Sequence, residues 1–233
     1  VGDIEARPYI EAVRQLKWEL ENNAIFIHLT LVPFLSAAGE IKTKPTQHSV
    51  MKLREIGLEP DFLVCRTESN NHLNTKLKKK LGLFCNVETE HVFESPDVET
   101  IYEIPLVLYK QKFDSAIINK LNIKLKTNHQ NISYLKNFVK KFKNPKHSVN
   151  IAICGKYNSL HDAYKSILEA FIHASSNNSA RINVKWIDTE LLEKEKNIKN
   201  HFKDINGILI PGGFGNRGIE GKIISSQYAR ENN

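Results

Sequence analysis

The sequence has no long apolar run and few cysteines. Its 233 residues contain 3 cysteines and 1 methionine. No window approaches the roughly 20 apolar residues of a membrane span, and no signal-peptide pattern opens the chain, so we expect no membrane partner. Cys65, Cys85 and Cys154 are an odd number without CxxC spacing, which argues against a disulfide framework and against a zinc site. We therefore expect buried thiols and a cytoplasmic protein.

The sequence also lacks the features of a nucleic-acid binder. The net charge is +7, but much of the lysine is concentrated in residues 75–82 and 124–147. These stretches do not show the interleaved basic and aromatic pattern that is typical of base stacking, and no nucleic-acid-recognition motif is present. A solvated basic surface or a site for nucleotide phosphates explains the charge better than a nucleic-acid polymer.

Several catalytic signatures are missing as well. The chain contains no Walker A loop and no GxGxxG, which argues against a dinucleotide site. No Ser–His–Asp triad and no metal-spaced cluster is apparent. His28, inside the apolar strand "IFIHLTL", is interpreted as an interior histidine with a hydrogen-bond partner.

Strand and helix patterns alternate in the first part of the chain, as in a parallel α/β layer architecture. The run at 24–34 is continuously apolar, which predicts a strand buried on both faces. The further predicted elements are helices at 7–20, 46–57, 73–81 and 98–113, and strands at 61–66 and 81–87.

The remaining sequence predicts a linker and a second domain. Residues 124–147 are rich in lysine and asparagine and carry one short helix at 132–142. The pattern then restarts as the first half of a doubly wound fold. Its predicted strands are 149–157, 182–188 and 207–213, and its helices are 160–175, 189–202 and 218–231. The chain starts without methionine and stops before a next strand, so we interpret both ends as arbitrary boundaries.

The stretch "IKTKPTQHSV" (41–50) combines two lysines with polar side chains at the predicted start of a helix. Gly39 permits a tight loop after the strand, and Pro45 suits the first helical turn. Unpaired N–H groups at a helix N-terminus favour an anion. The pattern alone leaves two interpretations open, a capped surface turn and a phosphate site.

The stretch "ILIPGGFGNRG" (208–218) places three glycines at the end of a predicted strand. Clustered glycines there expose backbone N–H groups, which can form an oxyanion hole or an anion nest. The alternative is a tight strand–helix turn.

Several of these segments together resemble the CTP synthase family, in order and spacing: "VGDIE", "HLTLVPF", "AAGEIKTKPTQHSV", "LGLFCNV", "CGKYNSLHDAYKS" and "PGGFGNRGIEGKI…YARENN". The resemblance implies a P-loop-like amidoligase domain with a parallel sheet, lacking its N-terminal part (1–123), a linker (124–147) and the first half of a doubly wound class I glutamine amidotransferase domain (148–233). It implies ATP-dependent amination of UTP to CTP with ammonia from glutamine, a C–N ligase reaction.

The resemblance also implies ligands and site residues. Magnesium, ATP, UTP and glutamine are expected, with GTP as activator, CTP as feedback inhibitor and no prosthetic group. The positions that match UTP/CTP contacts are Asp3, Ile4, Glu5, Glu11, Lys42, Thr43, Lys44, Pro45, Thr46, Gln47 and Lys80. Arg66, Asp97 and Val98 match ATP contacts, Phe84 matches an aromatic close to nucleotide, and Pro96 replaces a frequent family lysine. Gly213 matches the glycine whose N–H contributes to the oxyanion hole.

By the same resemblance, other essential parts are expected outside this chain. The phosphate loop and magnesium-binding acids would precede Val1, and the nucleophilic cysteine would follow Asn233. We therefore expect this chain alone to be inactive, in a family of homotetramers. A non-catalytic pyrimidine-nucleotide-binding or oligomerisation module is the alternative.

Overall fold

The chain forms two compact α/β units, Val1–Ile132 and Ser133–Asn233. The computed structural model describes residues 3–125, 132–156, 161–195, 197–213 and 215–232. No helix within these ranges is both long and apolar enough to cross a membrane.

The first unit is built on a parallel sheet of three strands in the order β1-β4-β5, accompanied by a short antiparallel hairpin, β2-β3. Its strands are β1 (Ile27–Leu31), β2 (Phe34–Leu35), β3 (Glu40–Ile41), β4 (Phe62–Thr67) and β5 (Val92–Pro96), and its helices are α1 (Arg7–Leu20), α2 (Lys44–Glu55), α3 (Thr75–Cys85), α4 (Ile104–Lys110) and α5 (Phe113–Lys120). Short 3-10 turns cover Glu21–Asn23, Thr89–His91 and Ile101–Glu103.

Strand β4 is the centre of the first unit and is buried on both faces. One face packs with residues of α2 and α3, including Val50, Leu81 and Cys85. The other face packs Phe62 and Val64 against residues of α4 and α5. This double coverage explains the continuous apolar run of β4.

Strand β1 does not have the double burial that the sequence predicted. Its side chains alternate between exposed and buried, and Leu29 is 68% exposed. His28 and Thr30 supply the buried face instead. The prediction was wrong because β1 lies at the edge of the three-stranded sheet, where the described helices cover only one face.

The predicted strand at 81–87 was also wrong, since helix α3 continues to Cys85. Asn74 caps this helix by accepting from Leu77 N–H at 2.9 Å, and Leu81 and Cys85 fall on one buried helical face. Asn86 ends the helix in a left-handed conformation.

Two further differences concern helix boundaries and a missed strand. The predicted helix at 98–113 is a 3-10 turn followed by α4, and β5 before it was not predicted. The predicted helix at 189–202 is reduced to α8 (Thr189–Leu192) and a 3-10 turn at Lys199–His201.

The second unit contains a parallel sheet in the order β7-β6-β8. Its strands are β6 (His147–Gly155), β7 (Ala180–Asp188) and β8 (Gly207–Leu209), with helices α6 (Ser133–Lys143), α7 (Lys165–Asn178), α8 and α9 (Ile219–Asn232) and a 3-10 turn at His161–Tyr164. The helix predicted inside the linker is α6, and its Phe138 O accepts from Ser176 Oγ of α7 at 2.8 Å.

All three cysteines are free and buried, as the sequence predicted. Burial raises the pKa of the Cys65 thiol to about 12 and that of Cys85 to about 11. These thiols are therefore core residues rather than nucleophiles.

Candidate nucleotide site and glutaminase turn

The segment 40–47 lies just beyond the carboxyl end of β1. Lys42 N–H donates to Pro33 O at 2.9 Å, which closes the hairpin that precedes the helix. Helix α2 then begins at Lys44 with Pro45 in its first turn. Ligands of open parallel sheets bind at this end of the strands, so the fold places the segment where a ligand is expected.

Three polar side chains of this segment are buried: Thr43, Thr46 and Gln47. Thr46 Oγ1 donates to Leu31 O at 3.2 Å and accepts from Thr30 Oγ1 at 3.1 Å. Gln47 Nε2 donates to Thr43 Oγ1 at 3.0 Å. These side chains therefore fix the backbone of the segment from its buried side. Lys42, Lys44 and Pro45 lie on the side that faces solvent.

The lysines predicted to bind phosphate come together from two elements; we call Lys42, Lys44 and Lys80 the basic cluster. Lys44 Nζ lies 6.0 Å from the ring centroid of Phe84 on α3, the helix that also carries Lys80. Lys42 forms an ion pair with Glu40. The hydrogen bond and charge of Lys42 lower the pKa of the Glu40 carboxyl, and the charge of Lys80 adds to the effect.

His28 lies beneath α2, as a partner of Ser49. Its Nε2 is 2.9 Å from Ser49 Oγ, and burial lowers its pKa. The interpretation of His28 as an interior, hydrogen-bonded histidine is confirmed.

The other residues assigned to pyrimidine nucleotide lie near the start of the chain and make local contacts. Asp3, Ile4 and Glu5 are exposed. Glu11 accepts from Arg14 Nε and Nη2 at 2.8 and 2.7 Å and from Gln15 at 2.8 Å. The hydrogen bonds from Arg14 and then from Gln15 lower the pKa of Glu11 to about 2. The described contacts do not link these residues to the basic cluster.

The residues assigned to ATP include an ion pair at the carboxyl ends of β4 and β5. Arg66 Nε donates to Asp97 Oδ1 at 2.9 Å, and both side chains are exposed. Asp97 N–H donates to Thr67 O at 2.8 Å, which holds the two strand ends together. Val98 follows, half-buried.

Sequence reasoning missed Glu94, which secures the segment after β4. Its Oε1 accepts from Thr67 Oγ1 at 2.8 Å and Leu73 N–H at 3.2 Å, and lies 3.0 Å from His72 Nδ1. The partners lie more than 20 residues away in the chain, so no local pattern could have identified this role.

In the second unit, β8 leads into the turn Pro211–Gly213. A Cβ placed on Gly213 would lie 3.4 Å from Lys222 Nζ and 3.6 Å from Lys156 Cε. Lys222 Nζ donates to Pro211 O at 2.9 Å. Gly213 is exposed, so its backbone is accessible beside two lysines that the sequence analysis did not single out.

Magnesium is expected from the family resemblance, and the described residues do not fit it. Within the described ranges, no three His, Cys, Asp or Glu side chains are grouped as metal ligands would be. We therefore assign no step to a metal held by these residues.

The fold and these sites define a mixed α/β protein whose described residues form two parallel sheets, with the segment 40–47, Arg66, Asp97 and Gly213 at or beyond the carboxyl ends of strands. Residues 1–123 match the family model described as CTP synthase N-terminus, and residues 159–233 match glutamine amidotransferase class-I. The chain belongs to the CTP synthase family.

Named CTP synthases are similar to the chain over its whole length. The CTP synthase of Cytophaga hutchinsonii is 52% identical over 234 residues, which cover 100% of this chain and 43% of the relative. Those of Flavobacterium psychrophilum and Clostridium kluyveri are 53% and 49% identical, again over 100% of this chain and over 43% and 42% of the relative. The chain thus spans about two-fifths of the length of these relatives.

Proposed function

We propose that this chain supplies the pyrimidine-nucleotide triphosphate site of a glutamine-dependent CTP synthase. The proposed reaction is ATP-dependent amination of UTP to CTP with ammonia from glutamine. The basic cluster carries this proposal, because two elements separated in sequence bring three cations to the rim of one parallel sheet. Matches to both family models support it.

The basic cluster suits a triphosphate for two physical reasons. A triphosphate presents several negative charges over a short length, so three neighbouring lysines gain more from it than from a monophosphate. The buried Thr46 and Gln47 hold the backbone of the segment before a ligand arrives. A ligand therefore meets cations whose backbone is already ordered, which reduces the entropic cost of binding.

We assign the other predicted residues to neighbouring parts of the reaction. Asp3, Ile4, Glu5 and Glu11 would read the base or ribose of UTP and CTP, and Arg66, Asp97 and Val98 would border ATP. Gly213 would donate its N–H to the oxyanion formed during glutamine hydrolysis, an interaction worth about 10²–10³ in rate in other enzymes.

The domain assignment follows the same proposal. Residues 1–123 would form part of the amidoligase domain, 124–147 the linker and 148–233 part of the amidotransferase domain. Magnesium, GTP activation, CTP feedback inhibition, a tetrameric assembly and a cytoplasmic location are expected of the complete enzyme.

Titration of this chain with UTP, CTP and UMP tests the proposal directly. We expect UTP and CTP to bind more tightly than UMP, and Lys42→Ala to weaken UTP binding by about tenfold at low ionic strength. Lys52→Ala is the matched control, because Lys52 lies on α2 and pairs with Glu55 away from the cluster. Equal effects of the two substitutions would contradict the phosphate role of Lys42.

Turnover separates the proposed enzyme from the alternative. The chain extended to the full length of its relatives should form CTP from UTP, ATP and ammonia. Nucleotide binding without CTP formation in that longer protein would favour a non-catalytic nucleotide-binding module.

A further inference from the structure

The first turn of helix α9 contacts helix α8 and the residue that follows it, immediately before Lys222. Gly221 N–H donates to Glu193 Oε1 at 3.3 Å, and Gly221 O accepts from Ser225 Oγ at 2.7 Å. A Cβ on Gly221 would overlap the backbone of Thr189 at the start of α8. The backbone from which Lys222 extends is therefore held in place by two contacts outside its own helix, the Glu193 hydrogen bond and the close packing on Thr189.

From this fixed position Lys222 reaches the turn after β8. Its Nζ donates to Pro211 O at 2.9 Å, and the side chain is half-buried. On the opposite side, the Pro211 ring packs on Gly155, where its Cγ lies 3.2 Å from the position a Cβ would take. Gly212 has no heavy atom within 4 Å of its own Cβ position. Among the described hydrogen bonds, the one from Lys222 is thus a side-chain tether of this turn, and it acts at Pro211 O.

We propose that Lys222 is a positioning residue for glutamine hydrolysis, which holds the turn so that Gly213 N–H points at the developing oxyanion. This inference rests on the proposed function, in which Gly213 is the oxyanion donor. The Pro211 carbonyl and the Gly212 N–H belong to one peptide unit, and the next unit carries the Gly213 N–H. A charge-assisted bond to the first unit therefore restrains the orientation of the second.

The consequence for rate follows from the geometry that an oxyanion hole requires. Its donors must lie about 2.7–3.1 Å from the oxyanion, and loss of one donor costs about 10²–10³ in kcat. A donor that is only loosened should lower kcat by less than a donor that is deleted. Lys222 Nζ also lies close to Gly213, so its positive charge would stabilise the negative charge of the developing oxyanion.

Backbone order in this chain tests the tether itself. NMR relaxation should show the order parameter of the Gly213 N–H falling from about 0.85 to below about 0.6 in Lys222→Met, while the Ala152 amide in β6 keeps the value of the unsubstituted chain. Lys222→Arg keeps a cationic donor and should restore most of the order. Arg230→Met removes an exposed cation from the same helix and should leave both order parameters unchanged. An unchanged Gly213 order parameter in Lys222→Met would overturn the proposal, and global unfolding would lower that of Ala152 as well.

Activity of the chain extended to the full length of its relatives tests the consequence. Lys222→Met should lower kcat for glutamine-dependent CTP formation by about tenfold, with KM for glutamine changed less than about twofold. Ammonia-dependent CTP formation should be unaffected, and Lys222→Arg should recover most of kcat. A raised KM at unchanged kcat would overturn the positioning role. If the unsubstituted protein forms no CTP from either nitrogen source, the proposed function fails, while the Gly213 order parameter still decides whether Lys222 holds the turn.

Discussion

Thr46 donates its hydroxyl hydrogen to the backbone oxygen of Leu31 at 3.2 Å, joining the first turn of α2 to the last residue of β1. Thr46 is fully buried and also accepts from Thr30 Oγ1. The second threonine of the "KTKPTQ" segment is therefore part of the support beneath the basic cluster.

Replacement of Thr46 by valine should destabilise the first unit. The substitution keeps the shape of the side chain but leaves the Thr30 hydroxyl and the Leu31 carbonyl without this partner, which costs about 1–3 kcal/mol of unfolding free energy. UTP binding should weaken in parallel, because the backbone of the loop loses its anchor. The loss of stability is measured by urea unfolding, monitored by hydrogen exchange of the amides in β1 and β4. The loss of affinity is measured by UTP titration.

Thr75→Val is the control for this substitution, since Thr75 is exposed at the start of α3. It should change neither stability nor UTP affinity by as much as Thr46→Val. A Thr46→Val chain with the stability and UTP affinity of the unsubstituted chain would show that these hydrogen bonds do not support the site.

In the proposed site Glu40 would compete with phosphate for Lys42, so Glu40→Gln should tighten UTP binding. The carboxylate pairs with Lys42 and lies in the field of Lys80. Its removal takes one negative charge from the basic cluster, and we expect affinity to rise by about three- to tenfold at low ionic strength and less at high salt. Isothermal titration at two salt concentrations measures both effects.

Glu55→Gln provides the matched control for Glu40→Gln. Glu55 also pairs with a lysine, Lys52, but on the exposed face of α2. UTP affinity should be unchanged in this variant. Weaker binding in Glu40→Gln would instead mean that Glu40 holds Lys42 in the orientation that the ligand needs.

Local patterns were sufficient where one element determines its own structure. Helix α1 spans Arg7–Leu20, as the spacing of apolar residues and Pro8 predicted. The run at 61–66 became β4 because its residues are buried on both faces by helices. The run at 81–87 looked similar but is mostly helical, since Asn74 and the buried pair Leu81 and Cys85 favour a longer α3.

The candidate site could be predicted only in part from local sequence. The pattern of 41–50 left a capped turn and an anion site equally open, because it does not show which side chains point inward. Lys80 is 38 positions after Lys42, and only the packing of α2 and α3 brings their charges together. The role of Lys80 was predicted from family resemblance alone, whereas Glu40, Glu94 and Lys222 depend on contacts that no local spacing encodes.

Burial of His28 should make the first unit lose stability as pH falls from about 7 to 5. Burial lowers the pKa of His28 in the folded state below its unfolded value of about 6.5. The unfolded chain therefore takes up a proton that the folded chain resists. The stabilising effect is complete above the unfolded pKa and decreases as pH falls below it.

The pH dependence of the unfolding free energy, compared with His28→Gln, measures this effect. The variant should show a flatter curve between pH 5 and about 7, whereas His48→Gln, at an exposed position on α2, should not. Glu40 and Asp61 have lowered pKa values, so their contributions are lost only at more acidic pH. Parallel curves for the unsubstituted chain and His28→Gln would contradict the assignment.

The Arg66–Asp97 ion pair should matter for ATP and little for stability. Both side chains are exposed, and exposed pairs contribute about 0–1 kcal/mol. In the chain extended to the full length of its relatives, Arg66→Ala should raise KM for ATP in the ammonia-dependent reaction by about tenfold. Arg54→Ala removes another exposed, ion-paired arginine and should leave KM for ATP unchanged.

Asp97→Asn distinguishes a direct role of Arg66 from a role of the pair. If Asp97 orients the guanidinium through the 2.9 Å hydrogen bond, its loss should raise KM for ATP by less than Arg66→Ala does, since the cation remains. The double variant should then resemble Arg66→Ala, because Asp97 would act through Arg66. Additive effects of the two substitutions would instead show that each residue contacts ATP independently, and no change in either would remove the pair from the ATP site.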